Sequence, residues 1–211
     1  MKTSEHFKNE LAYIKNDTLR EIVAATLDES PECIIEIPAS SSGRYHPTYS
    51  LGDGGLMRHI KGAVGIAHCM IETEIFKNIV MGANVYSDIN LATYKDAAYA
   101  ALILHDCCKP DDTEKHGTRF DHPLLAANLF KEVAKKYITQ ENMQYMKSVV
   151  PMVHSAIASH MGEWNTAPYA RGVVLPKPKT GIEVFVHMCD YLGSRRFLTF
   201  EFDKYDYNSR G

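Results

Sequence analysis

An almost uncharged run, Ala98-Tyr99-Ala100-Ala101-Leu102-Ile103-Leu104, ends in His105-Asp106, and Lys109 and Pro110 follow at once. A buried helix that stops on an imidazole beside a carboxylate carries a heavy desolvation cost unless both are partnered. A metal ion removes that cost, because neutral imidazole and ionised carboxylate are ordinary ligands. Neighbours on a helix point about 100° apart, so the two can share one ion, or the carboxylate can reach a second. Pro110 forces the helix to end, which puts the pair at a rim open to substrate. Taken alone, the dipeptide also fits a hydrogen-bonded His–Asp pair closing a core helix.

The rest of the chain supplies further donors on inward faces or helix ends: His59, His122, His160 and Asp190. With His105 and Asp106 they make six imidazole and carboxylate groups on five elements. That set suits a two-metal site with one bridging carboxylate and open positions for water and substrate. A single histidine on an apolar face is usually satisfied core; five such placements together are not. His154 precedes His160 by six residues, about 240° round a helix, so the two do not face one ion. His187 lies three before Asp190 on the same face, as a competing ligand or a partner behind the ligands. His46 and His116 fall in loops with access to substrate, whereas His6 and His68 read as structural or exposed.

Lys109 lies one turn past Asp106, placed either to neutralise phosphate charge or simply to sit at a helix end. Arg58, Lys115, Arg119, Arg195 and Arg196 are further phosphate candidates, each otherwise a surface charge. Glu163 beside His160 could relay a proton to a leaving group. Trp164 and Tyr45 could stack on a base or be buried aromatics. Cys107 and Cys108 read as small packing residues.

Apolar periodicity sets out the elements that must position these groups. Helices are expected over 4–28, with a break at Asn16-Asp17, then over Gly55–Thr73, Asn90–Asp106, Pro123–Lys136, Glu141–His160 and Gly181–Phe197. Pro151 is expected to kink or split the fifth of these. Pro31, Pro38, Pro47 and the Ser40–Gly43 cluster make 30–54 a long irregular segment, with Ile34–Ile37 a short strand or extended piece. Such a segment ahead of the first ligand helix reads as functional. A short turn spans Ile75–Met81, a polar linker Lys109–Asp121 and a loop 161–178. The class is all-α.

At 211 residues a single domain is expected. A net charge of −3 argues against a generally basic nucleic-acid surface and against stable duplex binding. No apolar run approaches the ~20 residues of a membrane span, and the polar opening Met1–Lys8 does not read as a signal peptide. Five cysteines, an odd count without CxxC spacing, fit a reducing cytoplasm rather than a disulfide framework.

The order His59…His105-Asp106…Asp190 resembles the HD-domain metal-dependent phosphohydrolase superfamily, and His122 and His160 resemble its binuclear branch. Three stretches are most similar to the HD domain of bacterial 3′–5′ exoribonucleases: Gly54–His59, Leu104–Lys109 and Ser159–Glu163. The likeness covers roughly 35–197, which implies one HD-domain helical bundle with the N-terminal helix 4–28 before it and a tail over 198–211. It implies that His59, His105, Asp106 and Asp190 hold one divalent ion and that Asp106 bridges to a second on His122 and His160. The ions would be Mn, Fe, Mg, Ni or Co. It further implies hydrolysis of a nucleotide or short oligonucleotide by metal-activated water, and the catalytic set expected with it is Asp106, joined by Lys109 and Glu163 on grounds of position. Homo-oligomers are compatible with it. The chain departs from the family in having His160-Met161 where many relatives have His-His, and Cys107-Cys108 where Ile-Gly is usual. It also has no room for the nucleic-acid-binding module of the nucleases. The same ligands resemble the di-iron oxygenases related to myo-inositol oxygenase, and a non-catalytic nucleotide-binding module is a third reading.

Overall fold

A computed structural model describes residues 1–40, 43–82, 89–111, 117–170, 172–197 and 202. The chain is all-helical. After a 3₁₀ turn, Thr3–Phe7, come α1 (Lys8–Leu11), α2 (Asp17–Glu29), α3 (Gly55–Met70), α4 (Glu74–Gly82) and α5 (Leu91–Leu104). Then follow α6 (His122–Lys135), α7 (Met143–Ser159) and α8 (Gly181–Gly193). The one departure among the described residues is a two-residue antiparallel ladder, β1 (Pro110–Asp111) on β2 (Gly117–Thr118).

Helix α5 is the axis. From Thr93 to Leu104 nearly every side chain is buried, so it has no polar face, as expected of a helix enclosed by others. Helices α2, α3, α7 and α8 pack around it, while α6 lies on α7 and α2. Local signals start several of these helices. Asn16 and Asn90 accept the backbone N–H three residues on, at 2.9 Å in each case, and Thr180 with Glu183 forms a reciprocal capping box on α8. No described helix is long and apolar enough to cross a membrane.

Several expectations need correction. The break at Asn16-Asp17 is real, but 12–16 leaves the helix altogether, held by Asp96, whose two carboxylate oxygens accept the Lys15 and Asn16 N–H groups at 2.8 and 2.9 Å. Ile34–Ile37 is no strand: Glu32–Ile35 is a 3₁₀ turn. The turn expected over Ile75–Met81 is the helix α4, whose Phe76 and Val80 are buried. Of the kink or split expected at Pro151, the split does not occur, since α7 is continuous through it; Pro151 is exposed, so water can take the carbonyl that the missing N–H leaves unpaired. Helix α8 ends at Gly193 rather than Phe197.

Candidate metal centre

All six candidate donors converge at one end of the bundle because each stands where a helix starts, stops or faces α5. His59 is on the buried face of α3, and His105-Asp106 leaves the C-terminus of α5. His122 opens α6, His160 closes α7, and Asp190 is on α8. The Pro110–Thr118 ladder, with the Arg119 N–H on the Lys109 carbonyl at 2.9 Å, folds the linker back so that His122 returns beside Asp106.

The donors form two groups, His59 with His105 and Asp190, and His122 and His160 with Asp106. Asp106 joins them. Its Oδ1 lies 2.9 Å from His122 Nε2 and 3.5 Å from His160 Nε2, and its Oδ2 is 3.6 Å from both His59 and His105 Nε2. Asp190 Oδ1 completes the first group at 2.9 Å from His59 Nε2 and 3.5 Å from His105 Nε2. Four donors about 2.1 Å from one ion stand about 3.0–3.4 Å apart, close to these separations.

Tautomers make the case stronger. His105 Nδ1 donates to the Leu102 carbonyl at 2.7 Å, His122 Nδ1 to Arg119 at 2.6 Å and His160 Nδ1 to Ile157 at 2.8 Å. A carbonyl only accepts, so these rings carry a proton on Nδ1 and, when neutral, aim a bare Nε2 lone pair inward. The His122 and His160 lone pairs then face each other at 3.3 Å, while His105 Nε2 lies 3.4 Å from His59 Nε2, which is itself 2.9 Å from Asp190 Oδ1. Although His122 Nε2 is 2.9 Å from Asp106 Oδ1, that buried oxygen has no hydrogen-bond donor among the described residues. Two acceptors pressed together out of water repel. A proton relieves one such contact, whereas a cation between the donors relieves them together.

The fields agree. Burial would raise the Asp106 carboxyl, but Lys109, His105, His122 and His160 more than reverse it and hold it well below the usual carboxylate range. Asp190 is depressed in the same way, burial being outweighed by His105 and His59. Burial draws His122 down to about 4. Burial also works to keep His105 neutral, but Asp106 and Asp190 lift its pKa above the ordinary histidine value.

Solvent reaches the centre on one side. Asp106 and the four candidate histidines are almost wholly enclosed, while the side chains of Asp190 and Lys109 are 18% and 16% exposed. The Lys109 ammonium donates to Asp106 Oδ2 at 2.7 Å. His46, from the irregular segment, sets its ring edge-on to His59 with centroids 5.7 Å apart. Burial and the neighbouring His59 and Lys109 lower its pKa to about 3, so it faces this mouth as a neutral ring.

Other candidates lie elsewhere. Arg58 is buried, and its guanidinium donates to the Tyr49, Leu51 and Asp53 carbonyls. It ties the irregular segment to α3, so the phosphate contact expected of it is not what the structure gives. Arg119 forks onto Asp121 at 2.9 and 3.0 Å, and Arg196 reaches the Gly43 carbonyl. Glu163 is outward, 3.7 Å from His187 Nε2 rather than among the donors. Lys115 and His116 lie outside the described residues. His187 stands behind a candidate donor: its Nδ1 donates to the His160 carbonyl at 2.7 Å. His68 is exposed and stacked on Tyr13. Tyr45 is exposed rather than buried.

No family model matches the chain, and the curated proteins and solved structures give no match either.

Proposed function

We propose that this chain is a metal-dependent phosphohydrolase or phosphodiesterase of the HD type, acting in the cytoplasm on nucleotides or short oligonucleotides. The observation that carries the reading is the convergence of four histidine Nε2 atoms and Asp190 on a carboxylate, Asp106, that joins two donor groups. The donors fit two divalent ions, one on His59, His105 and Asp190 and the other on His122 and His160, with Asp106 between them. Such ions supply a water of lowered pKa and positive charge for a phosphoryl oxygen. The chain's own part is to hold its ligands in one protonation state and one orientation. Backbone carbonyls fix three imidazoles, and Lys109 keeps Asp106 ionised.

Lys109 favours phosphate chemistry over the oxygenase alternative. It is a cation at the solvent side of the centre, within reach of charge that develops on a phosphoryl oxygen. Glu163 has no proton-transfer step in this scheme, because its carboxylate is turned to His187 at the surface. The test is hydrolysis of bis-p-nitrophenyl phosphate with added Mn²⁺ by the wild type and Asp106→Ala. The variant is expected to keep its helical circular dichroism and lose turnover; an unchanged rate would refute the proposal.

A further inference from the structure

The two segments that carry His160 and Asp190 also carry an aromatic and cationic cluster that the metal centre does not use. Trp164, the chain's one tryptophan, ends a 3₁₀ turn four residues past His160 and is 42% exposed. Its indole stacks on Tyr191, the residue after Asp190, with centroids 5.3 Å apart and planes 10° from parallel. The guanidinium carbon of Arg195 lies 3.8 Å from the centre of the Tyr191 ring and 5.2 Å from the centre of the indole. On opposite faces of Tyr191 the indole and guanidinium would be separated by two van der Waals contacts, about 7 Å. At 5.2 Å they share a face.

Arg195 Nε is buried and has no hydrogen-bond partner among the described residues. With the indole open to water and the guanidinium laid against two rings, the cluster presents an aromatic surface with a cation at its side. The His187 ring joins the cluster to the metal centre: it is 6.2 Å from both Trp164 and Tyr191 and bonds the His160 carbonyl.

Building on the phosphohydrolase reading, we infer that Trp164 and Arg195, backed by Tyr191, form the nucleobase subsite of the same active site. The base stacks on the open face of Trp164, and Arg195 meets the polar edge of the base or the sugar, while the phosphoryl group lies at the metal centre. Every base offers a π-face, so the subsite selects nucleotides over simple phosphoesters without choosing among bases. It also gives a chain with net charge −3 a way to hold a nucleotide that does not depend on a broad basic surface.

The single tryptophan makes the test direct. The probe is the adenosine 5′-phosphonate with methylene in place of the bridging ester oxygen, which hydrolysis cannot cleave. Methylphosphonate, which has the anion and no base, is the control. The metal-loaded protein is expected to show saturable quenching of Trp164 fluorescence with the first and none with the second. By calorimetry, Trp164→Leu and Arg195→Ala should each weaken binding of the adenosine phosphonate about 5- to 100-fold, with methylphosphonate affinity unmoved by Trp164→Leu. Equal affinity for both phosphonates without quenching would overturn the subsite and leave the hydrolase reading standing. Saturable quenching in a protein that cleaves no phosphoester would support the subsite and remove the hydrolase reading. Unaltered binding by Trp164→Leu would also overturn it.

Discussion

Substituting alanine for Gly162 tests how the second donor group is held. Gly162 follows the C-terminus of α7 with φ of +59°, a left-handed conformation that costs an L-residue about 1–2 kcal/mol. A Cβ there would stand 2.2 Å from His187 Cε1, 2.5 Å from Nε2 and 2.6 Å from Nδ1. The imidazole must therefore move, and its hydrogen bond to the His160 carbonyl is lost, at about 0.5–1.5 kcal/mol more. Together Gly162→Ala should destabilise the metal-free protein by about 1.5–3.5 kcal/mol. Gly52 supplies the control, because its φ is +66° and a Cβ there would meet nothing within 4 Å. Gly52→Ala should cost only the backbone part, about 1–2 kcal/mol. Urea unfolding of the wild type and both variants in chelator measures the difference from midpoint and slope. A Gly162→Ala variant no less stable than Gly52→Ala would refute the claim that His187 is wedged against that glycine to hold the end of α7.

Asp96→Ala should cost on the order of 3 kcal/mol in the same assay, because a buried carboxylate that binds two backbone N–H groups between α1 and α2 is removed; a loss under about 0.5 kcal/mol would contradict that anchoring role. The metal-free protein should also weaken in acid. His122 is drawn from its ordinary 6.5 to about 4 by burial, so between those values the unfolded chain binds more protons and stability falls as pH drops from 6.5 toward 4. His105, raised by Asp106 and Asp190, works in the opposite sense: its contribution is present below 6.5 and is lost as pH rises through its elevated value. His122→Gln should therefore flatten the acid side of the urea-midpoint profile, and a variant with the wild-type slope would contradict the assignment.

How legible the site was depended on what each residue's job requires. The donors were legible because metal ligands must stand on inward faces and helix ends, and His59, His105-Asp106, His122, His160 and Asp190 sit at such places in the apolar pattern. Helix α5 was legible because Ala97–Leu104 is an unbroken run without a charged residue. Arg58 was not, since a strut that ties three loop carbonyls together is a property of how 49–53 folds back, and its sequence neighbours look like those of a phosphate ligand. His187 could be placed on the face of Asp190 but not chosen as partner over ligand, because that choice depends on the carbonyl at the end of a different helix. Helix α4 was missed because Glu74–Gly82 is short and buries only Phe76 and Val80, too few for a period to stand out. Pro151 leaves α7 unsplit because, on an exposed face, the carbonyl it frees can reach water.

The central claim is that six side chains form a centre for two ions. Elemental analysis of the purified protein, loaded with Mn²⁺ and dialysed, tests it most directly, with Asp106→Ala alongside. The expected result is about two divalent ions per wild-type chain, a clear deficit in the variant, and hydrolysis of bis-p-nitrophenyl phosphate by the wild type alone. Two tightly held irons without hydrolysis would keep the centre and move its chemistry to the di-iron oxygenases. A folded wild-type chain that retains no metal would contradict the account.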